Sequence, residues 1–230
     1  MAPGRGAKGM GPALAKASAA LKIFPLPGLV MLPGAPAPLH VFEPRYRALV
    51  EEALATDRIF AIPTLLRDED APLARAEVHP ACGAVHIEAE ERHPDGKLDL
   101  LVRGIGRVRI VEELERGRPF REVRAEVVPD RYPAGGPEAL HGEGEAVTQL
   151  VFELAQHLPP ESGAPQLVEA VTSLRDPGAL ADLVAAATVS ELDGRLALIA
   201  EPDVARRLVL VKEELASVVL LLSRGRNPTA

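Results

Sequence analysis

The sequence predicts an α+β chain in which a coiled β half with one inserted helix precedes a helical bundle. Apolar residues alternate with a period of two between about residues 81 and 128, and recur with a period of 3.6 after residue 137. A segment rich in proline and glycine, 133–137, separates the two patterns. With 230 residues, 47% of them hydrophobic, the chain can bury a core in each half. We therefore predict a β domain over 22-132 and a helical domain over 137-225.

Residues 1-21 are expected to form a disordered tail. The segment is basic, and its glycines and prolines among residues 3–12 oppose an amphipathic helix. A secretory signal needs an unbroken apolar stretch, and Lys16 interrupts the one candidate. No targeting role is assigned to this tail.

The β half begins with short apolar runs at 24–32 and 38–42, and the prolines that cut them indicate edge strands or turns. Pro44 suits the first turn of a helix whose apolar face includes Leu49 and Val50. A further strand is expected over 60–66.

A hairpin is the clearest β feature of the sequence. Residues 82–91 and 98–102 both alternate, and the turn sequence HPDGK at 93–97 lies between them. Gly104 and Gly106 then interrupt the second strand, as expected where a sharply coiled strand bulges. The alternation resumes and continues to residue 128.

The helical half is predicted from capping residues and apolar spacing. A long helix is expected over 139–158, and Asp176 with Pro177 marks the N-terminus of another. The last helix, 203–223, carries a heptad seam. The seam consists of Val204, Leu208, Val211, Leu215, Val218 and Leu222. Apolar residues also lie off this seam near the end of the helix, so either it is buried in the bundle or its end meets a partner.

Composition excludes several functional classes. The 26 Lys and Arg against 33 Asp and Glu give a net charge of −7, which disfavours binding to nucleic acid. The arginines between residues 103 and 124 alternate with glutamates and indicate a mixed, solvated sheet edge. No apolar stretch is long enough to span a membrane. The single cysteine excludes an internal disulfide and fits a cytoplasmic location.

We do not expect catalysis or metal binding from the few histidine and cysteine residues. His79, Cys82, His86 and His93 are close in sequence, but Cys82 and His86 would lie about 13 Å apart along a strand. That separation is too long for a shared metal or a thiolate–imidazole pair unless the strand bulges. We expect no metal and no cofactor. An enzyme using Cys82 with a histidine brought near by the fold remains an alternative.

An ordered series of motifs resembles the N-terminal domain of Lon protease, most closely its free-standing bacterial members. The series opens with FPLPGLVMLPG at 24–34 and PLHVFEPRY at 38–46. It continues with GAV at 83–85, VRGIGRVRI at 102–110, DPGALAD at 176–182 and DVARRL at 203–208. The resemblance covers roughly residues 22–224.

This resemblance implies a PUA-like β-barrel followed by a helical bundle, and a module that contacts protein substrates. The ATPase and protease modules of the full-length family are missing, and no Walker A sequence occurs, so hydrolysis of ATP or peptides is not expected. We expect the chain to bind exposed apolar segments of other proteins, including unfolded polypeptides, without catalysing a reaction. The candidate contact residues are Phe42, Glu43, Arg45, Tyr46 and Phe60.

Two interpretations stay open for the element at 43–46. In one it is structural, with Pro44 starting the helix and the Tyr46 ring packed; in the other it binds at the surface. Two alternative functions also stay open: a small-ligand sensor, and an adaptor whose C-terminal helix docks on Lon, on another protein or on a second copy of the chain.

Overall fold

The computed structural model describes residues 7–66 and 76–225. The chain divides into two compact units, and the boundary along the sequence falls between Pro129 and Asp130. The first unit contains α1 (Ala7–Ala17), β1 (Leu21–Ile23), β2 (Pro36–Val41), α2 (Pro44–Ala55), β3 (Ile59–Ile62), β4 (Ala81–Arg92), β5 (Leu98–Leu114) and β6 (Arg121–Val128). The second contains α3 (His141–His157), α4 (Ala164–Ser173), α5 (Pro177–Thr188), α6 (Leu192–Ala200) and α7 (Val204–Gly225). The predicted α+β class is confirmed. None of the described helices has the length and apolar character needed to cross a bilayer.

The six strands of the first unit form one mixed sheet in the order β2-β5-β4-β3-β1-β6. The long strand β5 pairs with β2 and β4, and its C-terminal part also pairs with β6. From β5 the sheet continues through β4, β3 and β1 to β6, and β6 pairs with β5 again. The sheet therefore coils on itself.

The predicted bulge lies where the glycines interrupt β5. The register changes from Ala84 opposite Gly106 to Val85 opposite Gly104, which leaves Ile105 as the extra residue. The turn at 93–97 joins β4 to β5 as expected, with the Gly96 N–H donating to the His93 carbonyl at 2.9 Å.

Of the two alternatives expected for residues 24–32, edge strands or turns, the described structure has turns and irregular backbone and no strand. Residues 24–33 follow an irregular path in which Leu26 makes only an isolated bridge to Thr64. Prolines at 25 and 27 cannot donate to a ladder, and Gly28 adopts a left-handed φ of 68°.

This irregular segment crosses the sheet with its backbone in direct contact with two glycines. A Cβ at Gly83 would lie 1.9 Å from the Met31 carbonyl oxygen, and one at Gly104 would lie 2.2 Å from the Leu32 carbonyl oxygen. Any side chain at either position would force the segment off the sheet.

Two apolar clusters lie on opposite faces of the sheet, because alternate residues of a strand point to opposite sides. Val85, Ile87 and residues of α2 belong to the first cluster, and Cys82 and Ala84 belong to the second. Leu14 of α1, only 2% exposed, also packs in the second cluster.

The expectation of a disordered tail is therefore corrected for the described residues from 7 onward, which form α1, a short 3₁₀ turn and the start of β1. The reason is tertiary packing: a helix whose intrinsic propensity is poor is held by burial of an apolar face. Residues 1–6 lie outside the described structure.

In the helical unit, the predicted cap of α5 is confirmed, since the Asp176 carboxylate accepts a hydrogen bond from the Ala179 N–H at 2.8 Å. The buried stripe of α7 begins as predicted with residues 204, 208, 211 and 215 and then moves to Val219. Val218 is only half-buried. A straight helix of 3.6 residues per turn drifts away from a heptad repeat, which accounts for this shift.

Candidate functional site

Phe42 is the most exposed of the predicted contact residues. It lies between β2 and α2, its side chain is 57% exposed, and its ring stacks on the His40 ring with centroids 6.0 Å apart. An exposed phenylalanine ring leaves much of its apolar area in water, and covering that area on a partner would be favourable. The structure therefore leaves Phe42 available for binding.

Glu43 and Arg45 form an ion pair next to Phe42. The Arg45 Nε–H donates to Glu43 Oε2 at 2.9 Å, and Arg45 Nη2 lies 2.8 Å from the same oxygen. Glu43 is the residue immediately before α2, and Pro44 occupies the first helical position. The two charges neutralise each other, so the pair offers polar groups beside Phe42 but no net charge.

Tyr46 and Phe60 lie in the core, which corrects their selection as surface contacts and, for Tyr46, agrees with the structural interpretation in which its ring is packed. Phe60 is fully buried and Tyr46 is 7% exposed. The Tyr46 ring lies 4.0 Å from the Phe24 ring between centroids, its hydroxyl donates to the Pro25 carbonyl at 3.5 Å, and burial raises its pKa. The period of α2 and the face of β3 place these rings inward, and only the register of the fold could reveal that.

A cleft of about 610 Å³ opens in the helical unit beside the N-terminal part of α3. Leu140 and Leu180 are buried in its lining, whereas Phe152 is 42% exposed. His141, Glu145 and Arg175 add polar and charged groups to the same lining. The cleft thus combines an exposed aromatic ring with polar groups, and sequence reasoning had not singled it out.

The outward face of α7 carries a second group of exposed apolar side chains. Val209 and Leu210 are 43% and 39% exposed, and Leu220 and Leu221 are 49% and 69% exposed. The two alternatives for these residues were burial in the bundle and contact with a partner; within the described structure they are not buried.

A buried polar cluster holds the helical unit together where two of the sequence motifs meet. The Arg207 side chain is fully buried and donates to both carboxylate oxygens of Asp130, at 2.7 and 2.9 Å. Its Nε lies 3.4 Å from Asp182 Oδ1. The Tyr132 hydroxyl donates to Asp176 at 2.7 Å, and burial together with this bond raises the pKa of Tyr132.

This cluster explains the glycine of the DPGALAD motif. A Cβ at Gly178 would lie 2.5 Å from Asp130 Oδ2 and 2.8 Å from the Tyr132 hydroxyl. The cluster is structural rather than catalytic in character, because its charges are paired inside the unit.

Cys82 is not placed to act as a nucleophile. Its side chain is 2% exposed among apolar residues, and burial raises the pKa of its thiol to about 12. A thiol with that pKa carries a negligible thiolate fraction at neutral pH, and the thiolate is the reactive form. This burial argues against the alternative in which Cys82 acts as a nucleophile with a nearby histidine.

The comparisons with known proteins agree with this architecture. The family model described as the ATP-dependent protease La (LON) substrate-binding domain matches residues 20–217. The chain belongs to the Lon substrate-binding domain family. Membership in this family supports a substrate-binding role.

Curated Lon proteases and solved Lon domains cover most of the chain. Lon protease 2 of Myxococcus xanthus is 29% identical over 209 residues, or 90% of this chain, and Lon protease 2 of Thermus thermophilus is 30% identical over 86% of it. The chain spans only 24% of the length of each of these Lon proteases.

Solved Lon domains share the fold. The N-terminal domain of a Mycobacterium avium complex Lon protease matches with a TM-score of 0.67 at 20% identity, covering 86% of this chain and 98% of that one. The Lon N-terminal domain protein from Xanthomonas campestris matches with a TM-score of 0.57 at 22% identity, covering 83% and 95% respectively.

Proposed function

We propose that this chain binds exposed apolar segments of other polypeptides, with Phe42 as a principal contact. The observation that carries the proposal is the 57% exposure of the Phe42 ring in a chain of the Lon substrate-binding domain family. The flanking Glu43–Arg45 pair and the stacked His40 ring surround it with polar groups. An exposed aromatic ring inside a polar rim is the usual arrangement of an interface anchor.

The geometry suits weak and sequence-tolerant binding. The backbone of Phe42 lies between β2 and α2, and its side chain has only two χ angles to order, so the conformational entropy lost when the ring is covered is small. Burial of its remaining apolar area supplies free energy without specifying a particular partner residue. No reaction is assigned to the chain under this proposal.

Binding to fluorescein-labelled, reduced and carboxymethylated α-lactalbumin, a permanently unfolded polypeptide, tests the proposal by fluorescence anisotropy. The variant Phe42→Ala should weaken binding about tenfold, which corresponds to about 1.4 kcal/mol for loss of one anchor. The matched control is Val111→Ala, which trims an apolar side chain of β5 that is 42% exposed. Val111→Ala should leave the affinity unchanged.

Equal affinities for the two variants would overturn the role of Phe42. Failure of the unsubstituted chain to bind the unfolded probe, combined with stabilisation by small molecules in a thermal-shift screen, would instead favour a small-ligand sensor.

A second candidate function is that of an adaptor that docks through α7 on a Lon protease. The observation that favours it is the exposure of Leu220 and Leu221 on the outward face of that helix. A surface leucine 69% exposed leaves most of its apolar area in water, and covering it on a partner would be favourable.

Sedimentation velocity of the chain alone and mixed with a Lon protease tests this candidate. The expected result is a faster-sedimenting complex that Leu220→Asp combined with Leu221→Asp abolishes. The substitution Val111→Asp introduces one aspartate at an exposed apolar position of the other unit and should leave the complex intact. Absence of any complex with the unsubstituted chain would eliminate the adaptor.

A further inference from the structure

Two histidines and an aspartate meet on the outer face of the sheet. His40 of β2 lies directly opposite Asp99 of β5, and Asp99 lies opposite Glu91 of β4. His93 follows Glu91 by two residues, which places its side chain on the same face, within reach of a diagonal neighbour. The adjacent residues Val41 and Leu98 are buried on the other face, so the polar group faces solvent.

The Asp99 carboxylate bridges the two imidazole rings. His40 Nδ1 lies 2.5 Å from Asp99 Oδ1, and His93 Nε2 lies 2.7 Å from Asp99 Oδ2. The two ring nitrogens and a carboxylate oxygen all lie within 4.8 Å of one another. Three potential ligand atoms from three different backbone segments therefore converge on one point.

The surrounding structure holds each of these groups in place. His93 begins the turn that joins β4 to β5, where its N–H donates to the Lys97 carbonyl at 2.9 Å. The turn packs against α2, since a Cβ at Gly96 would lie 2.3 Å from Arg47 Nη2. The Phe42 ring stacks on His40 at an interplanar angle of 29° and limits the rotation of that imidazole.

We propose that His40, His93 and Asp99 bind a divalent transition-metal ion such as Zn²⁺, with the remaining coordination positions open to water. Imidazole nitrogen and carboxylate oxygen are ligands of Zn²⁺ at about 2.0–2.2 Å, which separates two ligand atoms by about 3.3 Å in a tetrahedral site. The two hydrogen-bonded separations need to lengthen by less than about 1 Å to reach that geometry, and the two ring nitrogens, now within 4.8 Å of each other, must come to about the same 3.3 Å separation. The two nitrogen ligands disfavour Mg²⁺ and Ca²⁺, which prefer oxygen.

The charges around the site favour a cation. Glu91 and Asp95 lie close enough to contribute to the electrostatic environment of His93, while Lys97 is paired with Asp95 at 2.7 Å and Arg92 is paired with Glu51. Binding of a metal ion replaces the two hydrogen bonds between the histidines and Asp99, so each ligating ring nitrogen must give up its proton.

Titration of the full chain with Zn²⁺ against a chromophoric chelator tests the site. We expect one equivalent to bind, and His40→Asn and Asp99→Asn each to weaken binding at least about tenfold, since even outer-shell changes have effects of that size. The matched control is His141→Asn, because His141 is also exposed and lies 3.2 Å from a carboxylate, that of Glu145. This control should bind Zn²⁺ as the unsubstituted chain does.

An NMR titration of the unsubstituted chain gives a readout that needs no variant. Addition of Zn²⁺ should shift the imidazole resonances of His40 and His93 before those of His79 or His141. Binding that is equally strong in all variants, or shifts confined to the other histidines, would overturn the site. Because the assay uses the metal ion alone, its failure would leave the binding of unfolded polypeptides untouched.

Discussion

Arg207 shows how a single residue can organise an entire unit. Its guanidinium is fully buried, and two carboxylates from distant parts of the sequence, Asp130 and Asp182, surround it. The Asp182 side chain is itself 3% exposed, and Arg207 lies close enough to compensate its charge. Removal of one partner of a buried pair leaves the other partner uncompensated, and the energetic cost comes mainly from that remaining charge.

Arg207→Met should therefore lower the free energy of unfolding by about 3–5 kcal/mol. The neighbouring Arg206 offers a matched control, because its side chain is 75% exposed and lies 3.6 Å from Glu201. Arg206→Met should change stability by less than about 0.5 kcal/mol, as is typical of exposed pairs. Urea unfolding followed by circular dichroism measures both values. A loss below about 1 kcal/mol for Arg207→Met would show that the cluster is not a source of stability.

At the scale of the element, α1 illustrates a helix that exists because of what it covers. Its sequence includes Pro12 and two glycines, which lower intrinsic helix propensity. Leu14 nevertheless packs into the second apolar cluster, and a Cβ at Gly106 would lie 2.9 Å from a Leu14 methyl group. The bulged part of β5 and the helix therefore fit each other closely.

Leu14→Ala should destabilise the chain by about 2–4 kcal/mol, because it removes buried apolar contacts and leaves a cavity in the second cluster. Lys16→Ala, an exposed substitution in the same helix, should have an effect below about 0.5 kcal/mol. Chemical denaturation measures the difference. Indistinguishable stabilities of the two variants would mean that residues near the N-terminus behave as the disordered tail that composition predicts.

At the scale of the whole molecule, local signals predicted the order of elements well. The hairpin, the glycine bulge, the cap of α5 and the long final helix all depend on neighbouring residues, and short-range rules describe them. The irregular segment over 24–33 and the fold of α1 depend instead on contacts with β4 and β5, which propensity does not encode.

The candidate site was only partly predictable for the same reason. The sequence identified Phe42 and the Glu43–Arg45 pair, but it could not separate them from Tyr46 and Phe60, whose burial depends on the tertiary register. Likewise, the sequence grouped His93 with nearby histidines and Cys82. In the structure its partners are Asp99, six residues later in the chain, and His40, 53 residues earlier. Strand register decides such groupings.

The two prolines of β2 limit how other chains can approach the sheet. β2 is the terminal strand of the described sheet and pairs only with β5, and Pro36 and Pro38 occupy alternate positions on it. Prolines are tolerated in a strand where the missing N–H would face away from the ladder, so the free edge lacks two donors. A client polypeptide cannot extend the sheet there as an additional strand, and concentrated solutions of the protein should resist edge-to-edge aggregation at β2.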